Sequence, residues 1–176
     1  MTPQTEIPTL ADLAFLPYID QNGELPEQFQ GKVGIYAIFD QTQTLKYVGF
    51  SRDVFLSLRQ HLVRCVSECY WIKVQIIDRP NRTILESIRA AWLEENGSPI
   101  NDEAKWTQPI QVKELMTEQE RSTYENAIDE LSQMKALKNI ARRVESEIMA
   151  QLKARNVQTE MRFNPKLKEE GLLDLK

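Results

Sequence analysis

Two tripeptides carry most of the chemical information in this chain: Gly34-Ile35-Tyr36 and Tyr47-Val48-Gly49, their tyrosines eleven residues apart. Cross-strand neighbours in a hairpin lie about 5 Å apart, so two such phenols can share one sheet face. Phosphodiester hydrolysis needs a positioned water, a group to take its proton, and positive charge on the phosphoryl oxygens. Paired phenols could serve the first two needs; in a plain structural role they would only pack and hydrogen-bond. A second constellation is His61, Cys65 and Cys69, spaced i, i+4 and i+8, which would place an imidazole and two thiols on one helix face. Zinc accepts those atoms, but a structural zinc site takes four ligands and no fourth stands nearby. Small buried cysteines are the simpler expectation. No P-loop, dinucleotide fingerprint or Ser-His-Asp set is present.

The elements that must position these residues follow from pattern. Val33–Phe39 is β-branched and aromatic, DQTQT supplies turn residues, and Leu45–Phe50 is again apolar, which predicts an antiparallel hairpin. Asp53 can cap a helix carrying Val54, Leu58, Leu62, Cys65 and Val66 at helical spacing. Tyr70–Asp78 reads as a third, half-buried strand. Thr83-x-x-Glu86 has the form of a capping box opening a helix with Leu85, Ile88 and Trp92 on one side, and Asn96-Gly97 is suited to end it. Glu94 and Glu95, at that end, are expected to be solvent charges. The predicted fold class is α+β: a small three-stranded antiparallel sheet flanked by helices over 32–106, preceded by an arm over 1–31 and followed by a helical extension over 107–176. The arm holds four of the eight prolines and at most a short helix near Leu10–Phe15.

The paired tripeptides on adjacent strands, with a helix following, resemble the signature of the GIY-YIG nuclease superfamily. VGIYAIFD and YVGFSRD are similar to its cyanobacterial and plastid-like branch, although no glutaredoxin-type thiol motif accompanies them. The resemblance covers roughly Lys32 to Glu103 and implies an endonuclease acting on nucleic-acid phosphodiesters, DNA above all, with one Mg2+ or Mn2+. It implies Tyr36 as general base and Tyr47 as the group that positions water or phosphate. It makes Glu86 the single carboxylate ligand of the metal, with Asn101 supporting the site. Magnesium prefers oxygen ligands and keeps several waters, so one carboxylate suffices. The family's arginine, eight residues after the second glycine, is replaced by Ser57, which cannot give phosphate a charged bidentate contact. Arg52 is the candidate substitute, and His61 falls where some members carry a histidine. With that arginine missing, the alternative is a catalytically inactive member of the fold kept for nucleic-acid binding or protein assembly.

Beyond Met116 the chain lacks Gly and Pro until Arg155, and Thr117-x-x-Glu120 is a further capping box. Nine apolar residues from Tyr124 to Leu152 recur at a mean spacing of 3.5, the coiled-coil period. The stripe predicts packing on the domain or a homodimer through the long helix, and a hinge near Gln133 is equally compatible. Lys135, Lys138, Arg142 and Arg143 form a basic cluster able to follow a phosphate backbone. A matched pairing of acidic and basic helices is the competing use of the same charges. The formal charge is −4, from 22 basic and 26 acidic residues, which excludes a broadly basic phosphate-coating protein. Two cysteines cannot make a disulfide framework, the N-terminus lacks the pattern of a secretion signal, and no apolar run would span a bilayer. Those features lead us to expect a cytoplasmic protein with no membrane partner.

Overall fold

The computed structural model describes residues 8–97 and 103–176. Two compact units are present, one ending at Trp106 and the other running from Thr107 to Lys176. The first contains β1 (Leu16–Pro17), β2 (Gly34–Phe39), β3 (Leu45–Ser51), α1 (Val54–Arg64), β4 (Trp71–Ile76) and α2 (Arg82–Asn96), followed by the short α3 (Ala104–Thr107).

Its sheet is antiparallel with strand order β1-β4-β2-β3. The fold is α+β as expected, but the sheet has four strands rather than three. The extra one comes from the arm, pairing Leu16 with Ile72 and Pro17 with Trp71 at the sheet edge, where a proline costs no ladder bond. Where the sequence predicts that the arm holds at most a short helix, near Leu10–Phe15, it forms a turn over Leu10–Asp12. Its backbone is satisfied by distant side chains: the Glu95 carboxylate accepts from Leu10 N and Ala11 N at 2.9 Å each. Lys73 Nζ donates to Leu10 O at 2.7 Å and lies 4.2 Å from the Phe15 ring centre. Glu95 is therefore an anchor for the arm, not a solvent charge.

Strand alternation splits the unit into two layers. Ile35, Ala37, Phe39 and Val48 pack with Leu10 and with Leu85, Ile88 and Trp92 of α2. Tyr36 and Tyr47 point to the other face, toward His61 of α1. Asp53 caps α1, accepting from Leu56 N at 3.1 Å, and Val54, Leu58 and Leu62 are fully buried. The helix stops at Arg64, because Cys65 leaves helical geometry with φ −140° and ψ 60°. The i, i+4, i+8 face proposed for His61, Cys65 and Cys69 therefore does not form. The capping box at Thr83 and Glu86 is also absent: Asn81 is the cap, accepting from Ile84 N at 2.9 Å, and α2 begins at Arg82. Gly97, with φ 76°, closes α2 in the left-handed conformation.

The second unit comprises β5 (Ile110–Gln111), α4 (Glu118–Glu125), α5 (Glu130–Ala154), α6 (Pro165–Lys168) and β6 (Leu172–Leu173), with β5 and β6 paired antiparallel. Thr117 and Glu120 form a reciprocal capping box at 3.0 and 3.1 Å. The 3.5-residue stripe does not make one seam. Asp129 opens a new helix by accepting from Ser132 N, so the break falls before the position near Gln133. Ala136, Leu137, Ile140, Ala141, Val144, Ile148 and Leu152 are buried within the unit, whereas Ile128 and Leu131 are 95% and 62% exposed. No helix among the described residues is long and apolar enough to cross a membrane.

Arg143 joins α5 to α4. It donates to both Glu120 oxygens at 2.7 and 2.8 Å, to Glu147 at 2.8 Å and to Leu115 O at 2.7 Å. A fork of donors meeting a carboxylate is stronger than a single surface ion pair. Arg143→Ala is expected to cost this unit about 1–2 kcal/mol in urea unfolding followed by far-UV circular dichroism. A loss equal to that of the exposed Arg142→Ala would contradict it.

Candidate active site

The pairing register explains why two glycines accompany the two tyrosines. Tyr36 lies directly across from Gly49, and Tyr47 across from Ile38. A Cβ on Gly49 would come within 2.7 Å of Tyr47 Cε2 and 2.9 Å of the Tyr36 hydroxyl. The missing side chain therefore makes room for both phenol rings, whose centres are 6.3 Å apart. Gly34 serves the opposite edge of β2, where a Cβ would meet Gln75 O of β4 at 2.5 Å.

His61 completes the cluster. Its Nε2 and the Tyr36 hydroxyl share a hydrogen bond of 2.7 Å, and its ring centre is 5.0 Å from that of Tyr47. All three side chains are nearly inaccessible, with Tyr36 at 3%, His61 at 4% and Tyr47 at 7% exposure. The Trp106 indole, itself fully buried, stacks on Tyr47 at 5.4 Å and meets His61 edge-on at 5.7 Å.

Enclosure sets the protonation states. Burial pushes the Tyr36 phenol well above its ordinary range, and the neighbouring Tyr47 adds to this; the adjacent Ser57 hydroxyl and the charges of Arg64 and Arg89 oppose it. Burial likewise raises Tyr47, against the pull of Arg89 and Arg64. His61 is driven from 6.5 to about 3 by burial and then by the like charge of Arg64. Its Nδ1 is buried with no hydrogen-bond partner among the described residues. A general base works best with a pKa near the ambient pH, and neither Tyr36 nor His61 is placed there.

The site residues expected from the sequence fall partly within this cluster and partly outside it. Ser57 does face the phenols; its hydroxyl donates to Ser51 Oγ at 2.6 Å. Arg52 is exposed on the rim of a separate groove of about 570 Å³, shared with Phe50, Asn81, Arg82 and Leu85. Glu86 is held by Arg82 at 2.7 Å on an exposed stretch of α2. Asn101 lies outside the described residues. Lys135, Lys138, Arg142 and Arg143 belong to the second unit, and Arg143 is committed to Glu120.

The cations that act on the phenols are Arg64 and Arg89. Seven residues at ~100° each place Arg64 within about 20° of Ser57 on α1, two turns further on. That spacing was available in the sequence. Arg89 follows Glu86 by three residues and therefore sits about 60° nearer the buried face of α2. Its Nε donates to Val48 O on β3 at 2.8 Å, and its Nη2 to Glu103 at 2.5 Å. The donor set does not fit the divalent ion that the family resemblance implies. Glu86 is turned outward, the carboxylate that acts on Tyr47, Glu103, is bound to Arg89, and no cluster of three or more metal-ligating side chains occurs among the described residues.

Comparison with known proteins gives one partial likeness. Over 63 residues the chain is 33% identical to the bifunctional monothiol glutaredoxin-S16, chloroplastic, of Arabidopsis thaliana. That stretch is 36% of this chain and 22% of that protein, so the chain spans about a fifth of the relative's length. No protein-family model matches.

Proposed function

We propose that the first unit is a GIY-YIG-like domain whose hydrolytic centre is closed, and that the chain works as a nucleic-acid-binding module. The observation that carries this reading is Trp106: its ring fills the space over Tyr47 and His61 that a scissile phosphate would have to enter. The perturbed pKa values of Tyr36 and His61, and the outward turn of Glu86, support it further. Binding is assigned to α5, where Lys135, Lys138 and Arg142 fall within about 60° of one another on the face opposite the buried residues. The expected homodimer through this helix has less support, since the apolar stripe is largely consumed inside its own unit.

A thiol-transfer function, which the partial likeness to a glutaredoxin would suggest, is not favoured by the two cysteines. Both are buried and outside any disulfide; Cys65 is pushed up to about 12 by burial and by Glu68, far from the reactive thiolate. An active endonuclease is the second reading, favoured by two guanidiniums, Arg64 and Arg89, that act on the phenols where Ser57 supplies none.

Supercoiled plasmid with Mg2+ or Mn2+ separates the two. The closed reading expects no nicking above a Tyr36→Phe control, together with binding to DNA whose log affinity falls linearly with log salt. Lys135→Glu/Lys138→Glu/Arg142→Glu should reduce that affinity at least about tenfold at low salt. Nicking that disappears in Tyr36→Phe would establish the second reading, and salt-independent or absent binding would remove the module.

A further inference from the structure

We propose that Glu103–Trp106 is an internal stand-in for a nucleotide, and that Arg64, Arg89 and Tyr47 form a site for one unpaired nucleotide that this segment now fills. The inference rests on the closed-centre reading and says what does the closing. Each part of the segment presents the chemistry of a nucleotide to a matching group. The indole of Trp106 lies nearly parallel to the Tyr47 ring, 16° between planes, as a base stacks on an aromatic platform. The Glu103 carboxylate takes Arg89, and the Trp106 carbonyl oxygen takes Arg64 Nη1 at 2.7 Å. Anionic and carbonyl oxygens on two guanidiniums are the acceptors a phosphodiester would bring.

Holding contacts lie to one side of this arrangement. Lys105 Nζ is 2.8 Å from Glu68, and Cys65 Sγ reaches Lys105 O at 3.8 Å. These tie the side chain and carbonyl of Lys105 to Cys65–Glu68, just beyond α1, without using the stacking platform. Releasing the indole and the carboxylate would leave an aromatic face beside the buried imidazole, flanked by Arg64 and by an Arg89 guanidinium freed of its carboxylate. A base-paired nucleotide cannot offer its ring face in that way, so the ligand class is single-stranded nucleic acid.

The test is fluorescence anisotropy of a labelled short oligothymidylate, with the matching duplex as second probe. It is run on the full chain carrying Lys135→Glu/Lys138→Glu/Arg142→Glu, so that α5 contributes little. Adding Glu103→Gln/Trp106→Ala is expected to tighten single-strand binding about tenfold and duplex binding hardly at all. Arg89→Ala should then erase the gain. Glu103→Gln alone removes the charge of Arg89's exposed ion-pair partner with a near-isosteric amide, keeps the fold, and should give about a threefold gain. The inference is overturned if folded Glu103→Gln shows no gain, or if the gain of the double variant survives Arg89→Ala. Failure here with an uncut plasmid above leaves the closed centre standing, whereas Tyr36-dependent cutting removes the closed centre itself.

Discussion

Moving the protein from pH 7 to pH 4.5 is expected to take about 2–3 kcal/mol from the stability of the first unit through His61 alone. Folding lowers this imidazole from 6.5 to about 3, so between those values the unfolded chain binds a proton that the folded chain refuses. The stabilising contribution is complete above pH 6.5 and is lost as the pH falls, at ~1.4 kcal/mol per pH unit, until it levels near 3. The measurement is urea unfolding followed by tryptophan fluorescence, since Trp71, Trp92 and Trp106 all report on the first unit. Carboxylates add to the acid limb as well. Desolvation would raise Asp40, but hydrogen bonds from Thr42 and Thr44 hold it low, so its share is also lost toward acid pH. His61→Gln separates the two, because an amide oxygen can still accept from Tyr36 while nothing there titrates. The wild type should lose about 2–3 kcal/mol more than the variant over that interval. Parallel acid limbs would mean that His61 is protonated within the folded protein, and the enclosed cluster would then be open to water.

Much of this cluster was readable from residue types, and the reasons for the gaps are specific. The two glycines and two tyrosines announce themselves because a missing Cβ leaves a compositional mark, opposite a phenol at Gly49 and against the β4 backbone at Gly34. Asp53 and Thr117 with Glu120 were legible as caps, since the side chain that accepts the first free N–H has few alternatives nearby. At α2, Asn81 and Thr83 competed for the same role two residues apart, and the choice of Thr83 suggested Glu86 as a cap and left Arg89 unremarked. An error of 60° around a helix is below what hydrophobic spacing resolves, yet it exchanges an anion for a cation at the phenols. The four-stranded sheet was hidden for another reason: Leu16–Pro17 pairs for only two residues, too few to show a period. Trp106 leaves no local signal, because its neighbours are polar and it is held by Arg64 and Tyr47, which lie forty residues or more away in sequence. The apolar stripe from Tyr124 to Leu152 kept its 3.5 rhythm across a real helix break. Periodicity records which side faces inward; it does not record Asp129 starting again.

The two motif glycines give the largest expected stability effect, and a ranking that tests their separate causes. Gly34→Ala should destabilise the first unit by about 3 kcal/mol or more, since the new methyl meets a backbone oxygen, Gln75 O, at 2.5 Å. Backbone can yield only by parting β2 from β4, at the expense of ladder hydrogen bonds between central strands. Gly49→Ala should cost less, about 2 kcal/mol, because its clash is with two side chains, the Tyr47 ring and the Tyr36 hydroxyl. That clash falls on the site itself, so Gly49→Ala should also part Tyr36 from His61 and, by letting water reach the buried ring, raise the imidazole toward its ordinary 6.5. Gly97→Ala serves as the reference: it sits at φ 76° with nothing within 4 Å of the added methyl, so it carries conformational strain alone, about 1 kcal/mol. Urea midpoints by tryptophan fluorescence, with an NMR titration of the single histidine, check both the order and the site effect. Equal losses at Gly34 and Gly97 would contradict the strand-contact argument. A Gly49→Ala protein whose histidine still titrates near 3 would show that this glycine is not what seats the two phenols.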